Sequence, residues 1–335
     1  MRRNIISIGD DVITGEVGRI FAAGEMILKD ADVNKLTGAG EVNIEDSFIS
    51  ETKLAGEIKA RNSNFGSIKI AGVFESTGIC KADRMVAIGE INAEELECKI
   101  LRNFSENLSG IVMNDSNNYY NKFNFDININ KFKYKNKVDY GHGSKDGNTV
   151  KGNSGSKYTG IIKAETFENL CDFTLDFDYN FKNILNLDIL RDVKVVECNE
   201  FYNLGVLDLE GISAEIVYIL PTRGTRVNQI MGCNIVIDKE FIMKDNYMKL
   251  PRSIDMKFIN KAPNQEVGRI LVDSIEGDNI TIDYVEAKYL SGDNVAIGKN
   301  CIIDKVEYRD EIKISDGALV KEVIQLNSIK LIGSN

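Results

Sequence analysis

A short phrase returns along this chain at a nearly constant interval, and such an interval restricts the fold more than any other feature of a sequence. Gly24 opens GEMIL, Gly40 opens GEVNI, Gly56 opens GEIKA, Gly72 opens GVFES and Gly89 opens GEINA, at steps of 16, 16, 16 and 17 residues. Glutamate follows the glycine in four of the five. An apolar residue comes two places after it: Met26, Val42, Ile58, Phe74 and Ile91. Within a unit apolar and polar residues alternate, as in Val42/Ile44 and Ile58/Ala60. A period of two belongs to a strand, not to a helix.

Sixteen residues are too few for two packed helices but suit one coil of a β-solenoid, two or three short strands joined by turns. A single coil cannot bury its apolar face. Stacking pairs each strand with its equivalent one coil on and closes a core. The expected fold is therefore all-β, a parallel β-helix of about 16-residue coils. Roughly 15 coils at about 4.8 Å each make a rod on the order of 70 Å long. The repeat glycines Gly24, Gly40, Gly56, Gly72 and Gly89 are placed at turns, Ile58 and Ala60 inward, and Glu25, Glu41, Glu57 and Glu90 outward. Like charges stacked one coil apart repel, and Lys59 and Arg61 stand close enough in sequence to offset this. Proline agrees: there are three, Pro221, Pro251 and Pro263, and none before residue 221. Proline lacks the N–H that a strand paired on both edges needs.

Three regions follow. Residues 1–108 form an N-terminal solenoid block with the regular repeat. Residues 161–335 form a C-terminal solenoid block, where GDNITI and GDNVAI match at an interval of 15 and ALVKEVIQLNSIKLIG reads as strands. Between them, residues 109–160 are a polar insert. Residues 114–160 hold ten Asn, six Gly and eight Lys against four Asp, with neither Glu nor Arg, about +4 in a chain of net charge −10. Its alternation over 119–134 reads as a hairpin and KDGNTVKGNSGSKYTG as a loop; a partner-binding arm is the functional alternative.

Composition excludes several classes. An acidic surface disfavours nucleic acid and anionic lipid. No apolar run reaches the roughly 20 residues of a membrane span, and the N-terminus lacks a secretory apolar stretch, so the expected location is cytoplasmic. The six cysteines are scattered, without CxxC, and the single histidine, His142, completes no zinc site of usual spacing. They read as small buried hydrophobes. No P-loop is present. No metal, cofactor, small-molecule substrate or catalytic residue is expected.

A solenoid has two ends that expose unpaired backbone groups and an open apolar cross-section. Here apolar residues come close to both: Ile5, Ile6 and Ile8 at one, Ile324, Leu326, Ile329, Leu331 and Ile332 at the other, with no amphipathic cap helix evident. Heterologous contacts that do not close generate filaments.

The G-E-[VI] repeats at Gly40, Gly56 and Gly89, the segment VVECNEFYNLGVLDLEGISAEIVYI (195–219) and the stretch from GDNITIDYVEA to GALVKE (277–322) resemble the bactofilins, polymer-forming cytoskeletal proteins of bacteria, most closely their Firmicute-type members. The resemblance covers most of the chain except residues 109–160. It implies a right-handed parallel β-helix and end-to-end homopolymerisation without nucleotide. It also implies a place at the periphery of the inner membrane and partners in envelope, cell-shape or motility machinery. The chain departs from the family in its nearly absent tails and its long insert.

Two other classes compete. VAIGKNCIID (295–304) looks like a turn of the hexapeptide acyltransferases, but the match does not continue at six-residue steps and a coil histidine is missing. Polysaccharide-active β-helix enzymes use clustered carboxylates, and Asp172, Asp176 and Asp178 alternate onto one strand face; a solvated outer face accounts for them. The third class is a rod-like adaptor that does not polymerise and binds partners through its insert. TRGTR (222–226) reads as an exposed basic turn.

Overall fold

The computed structural model describes residues 2–104, 156–239 and 266–326. The hairpin expected over 119–134, His142, and the terminal Ile329, Leu331 and Ile332 lie outside these residues. Among the described residues there is no helix. Fourteen strands form one sheet: β1 (Arg3–Ser7), β2 (Asp11–Glu45), β3 (Phe48–Arg61), β4 (Asn64–Phe104), β5 (Lys157–Leu170), β6 (Phe173–Thr174), β7 (Asp178–Asn186), β8 (Ile189–Asn203), β9 (Val206–Ile219), β10 (Arg226–Ile237), β11 (Ile270–Ile282), β12 (Val285–Ile297), β13 (Ile302–Ile314) and β14 (Leu319–Gln325). All pair in parallel along one path in chain order, except that β6 pairs β8. The fold is the β-solenoid that the repeat predicts.

The register shows how a 16-residue step becomes a core. Val42 pairs Ile58 and Ile58 pairs Phe74, while Gly40, Gly56 and Gly72 stand directly over one another. The apolar members of these columns are fully buried, and burying each such side chain contributes about 1.5–3 kcal/mol. The five repeat glycines sit at a corner that the ladder crosses without breaking. Their φ values run from 112° to 138°, a region that residues with a Cβ rarely enter. A Cβ on Gly56 would stand 2.1 Å from the carbonyl oxygen of Gly40.

A second corner was not singled out in the sequence. Asp30, Asp46 and Asn62 hold φ near 47°, and Gly78, one step on, holds 68°. Aspartate and asparagine tolerate this left-handed conformation better than other side chains. The 16-residue spacing of Asp30, Asp46, Asn62 and Gly78 is the signal that marks it. Beside this corner a buried serine stack ties the coils together: the Ala31 N–H donates to Ser47 Oγ at 3.0 Å and the Ser47 N–H to Ser63 Oγ at 3.2 Å.

The two solenoid blocks form one ladder. β4 pairs β5 from Glu90↔Lys157 to Phe104↔Leu170, so the chain leaves at Phe104 and rejoins the same stack. Strand β5 begins at Lys157, within the span that composition assigned to the insert; Lys157–Gly160 belong to the rod. A second interruption passes equally well, since β10 pairs β11 across residues 240–265, with Ile230 opposite Ile275. Where GDNITI meets GDNVAI, the interval of 15 is the register itself: Asn279 pairs Asn294 and Ile280 pairs Val295.

Around the first interruption the interior changes character. Asn103, Asn169, Asn186 and Asn203 stack inside the rod. Nδ2 of Asn169 donates to Asn186 Oδ1 at 2.8 Å, and Nδ2 of Asn186 to Asn203 Oδ1 at 2.7 Å. The same groups reach the carbonyls of Cys171 and Asp188. Buried amides must be satisfied, and a ladder achieves this coil after coil. Asn-Leu recurring at 169, 186 and 203 is its sequence signature, at a step of 17.

Candidate functional site

The two ends of the rod are where the ladder stops among the described residues. At the first, β1 pairs only with β2. Ile5 lies in register with the buried Ile20 and packs on the core. Alternation then turns Ile6 and Ile8 outward, and they are 73% and 80% exposed. These two residues, expected at the end face, instead stand on the side of the first coil. Ile6 lies beside Phe21, on a shallow groove of about 260 Å³ that Arg19 and Lys35 also line.

At the other end β14 pairs only with β13. Val320 continues the column of Ile303, and Val323 continues that of Val306. Ile303 and Val306 are fully buried, whereas Val323 is 44% exposed, because no described strand lies beyond it. The sequence reading placed Ile324 here. The register sets Ile324 opposite Glu307 in the neighbouring column, and the N–H of Leu326 donates to the Tyr308 carbonyl at 2.7 Å. Counting one 17-residue step from Ile303 and Val306 finds Val320 and Val323.

The flank between the ends is charged and self-neutralised. Lys59 Nζ lies 2.7 Å from Glu41 and 3.1 Å from Glu57, bridging two coils. Its hydrogen bond holds the Glu41 carboxyl below the usual range. Glu51 and Glu97 are lowered in the same way by Lys35 and Lys81. The stacked glutamates thus alternate with lysines, as the spacing of Lys59 suggested.

Asp172, Asp176 and Asp178 do share the outward face, exposed to solvent. Asp172 is ion-paired with Arg191. In TRGTR, Thr225 accepts the Leu207 N–H and Arg223 pairs with Glu266 at 3.2 Å, which makes it a structural turn. Four of the six cysteines are buried. Burial pushes the thiols of Cys98, Cys171 and half-buried Cys198 up to about 12 and Cys301 to about 11. Such thiols are poor nucleophiles. Among the described residues no group of three metal-ligating side chains converges, and no helix is long and apolar enough to cross a membrane.

No family model, curated protein or solved structure matches this chain.

What the ends can do follows from their chemistry. Each presents a row of backbone donors and acceptors with period-two spacing and a cross-section of aliphatic side chains. A surface of this kind recognises another strand edge of matching register.

Proposed function

We propose that the chain is a non-enzymatic scaffold that assembles end to end into a homopolymer without nucleotide. The observation that carries this reading is Val323: a core position in register with Val306, on a strand with no described neighbour beyond it. Completing that column with a strand from a second copy removes apolar surface from water and satisfies the edge. The continuous ladder supports it further, since a rod uninterrupted by its excursions transmits one axis from end to end. The reading accords with the resemblance to the polymer-forming bactofilins, and with it go the right-handed sense, the cytoplasmic location near the inner membrane, and partners in envelope or motility machinery.

Negative-stain microscopy of the purified protein without nucleotide tests it. Filaments or short end-joined rods are expected. Monodisperse monomers at high concentration would overturn it.

A further inference from the structure

Each strand of β5, β7 and β8 ends on the asparagine ladder, with Asn169, Asn186 and Asn203 inward and Phe167, Ile184 and Phe201 inward two places earlier. Strand alternation then aims the residues between them away from the core. Leu185 and Tyr202 point outward by this rule, yet they are only 2% and 1% exposed. With Leu170, Leu187 and Leu204 they form an apolar cluster separate from the main core. The Tyr202 and Tyr218 rings stack one coil apart at 5.5 Å. At the foot of the column Arg102 is paired with Glu168, both also buried. In the N-terminal coils, which lie on the same path of the ladder, outward positions beside the core carry lysine, as at Lys53 and Lys69.

An outer face this deeply buried requires a covering layer. The described strands all lie on the one ladder beneath it and supply none. We propose that this stripe is a docking surface whose occupant is this chain's own insert, residues 119–134. Three observations select that occupant. The described chain stops at Phe104, itself packed against the cluster. Burial is deepest in the rows of Arg102, Glu168, Leu185 and Tyr202, beside that departure point. It lessens at Tyr218, Leu220 and Val236, towards Lys239, where the second interruption begins. Finally, Phe123, Phe125, Ile127 and Ile129 alternate with polar residues. That one-sided pattern calls for an apolar surface on one side only. Reach is no obstacle: three coil steps from Arg102 to Tyr202 are about 15 Å, and 51 residues separate Phe104 from Ser156 (residues 105–155).

The proposal is independent of end-to-end assembly, because the stripe lies on the flank and not at either end. Hydroxyl-radical footprinting of the full chain tests it, read at Leu185, Leu187 and Tyr202. Changing Phe123→Ser, Phe125→Ser, Ile127→Ser and Ile129→Ser together is expected to raise modification there about threefold or more, as for a locally opened surface. Protection at Ile235 in the main core should not change. Deleting residues 240–265 should leave the three positions protected. If the quadruple variant loses the protection of Ile235 as well, Phe125→Ser alone is read in the same way. Unchanged protection in the serine variants, or exposure only in the 240–265 deletion, would overturn the assignment.

Discussion

Inside the rod, Asn186 donates from Nδ2 to Oδ1 of Asn203 one coil on, and in the same place accepts from Asn169 one coil back. The three amides thus form one chain of hydrogen bonds running along the axis. Asn186→Ala removes the middle link and strands buried polar groups on both neighbours. A destabilisation of about 2–4 kcal/mol is expected from the lost bonds and the unsatisfied amides, read as a lower urea midpoint.

Gly56→Ala should be worse tolerated than any change at the second corner. Its φ is 136° and the new Cβ would meet the Gly40 carbonyl oxygen at 2.1 Å. Strain of about 1–3 kcal/mol adds to the shift needed to relieve that contact. Asn62→Gly, at φ 46°, should change stability by less than about 1 kcal/mol. Equal losses at the two sites in thermal melts would show that the corners are not distinguished by φ.

The charge ladder sets an acid limb. Glu41, Glu51, Glu97 and Glu307 are held below the usual carboxylate value by lysine hydrogen bonds. Their contribution is present above the unfolded pKa of about 4.3 and is lost as pH falls through the lower folded values. Thermal midpoints should therefore decline below about pH 4.3. Lys59→Met should shrink the decline, since it removes the partner of Glu41. A curve identical to that of the unaltered chain would rule out the pair as a contributor.

Thiol reagents should distinguish the cysteines. Cys233 is exposed, and Cys80, Cys98, Cys171 and Cys301 are buried. Near neutral pH the folded chain should label first at Cys233, the others reacting only after denaturant. The carboxylate of Asp278 raises the Cys233 thiol, so its labelling should quicken as pH rises past about 8.5. Rapid labelling of Cys98 in the folded state would contradict its burial.

Val323→Lys should shorten or abolish end-joined assemblies, because it places a charge in the column that a second copy would complete. Ile324→Lys, set opposite Glu307, should have the smaller effect. Filament length by microscopy reads both. The reverse order would place the joining face on the flank.

Much of this architecture could be read from residue order. The glycine interval gave the coil length, and alternation placed Val42, Ile58 and Phe74 in one inward column. The match of two GDN segments gave their register. The asparagine ladder and the Asp30/Asp46/Asn62 corner were equally present in the sequence but passed unremarked. Each depends on a recurrence of single polar residues, which carries less contrast than glycine or an apolar pair.

The ends were harder. Period two is visible in ISIG and in KEVIQL, but its phase is not, and a one-residue slip exchanges the two faces. Ile6, Ile8 and Ile324 are as apolar as their neighbours; only pairing with Phe21 and Glu307 decides that they leave the core column. The sequence by itself determined the coil, its corners and most of its interior, because those repeat and so are stated many times over. Tertiary structure alone decided that Phe104 and Leu170 meet across the insert and that Leu185 and Tyr202 are buried on the outside. It also placed Val323, not Ile324, in line with the core. Each of these depends on contacts between residues far apart in the chain, and a local pattern carries no record of them.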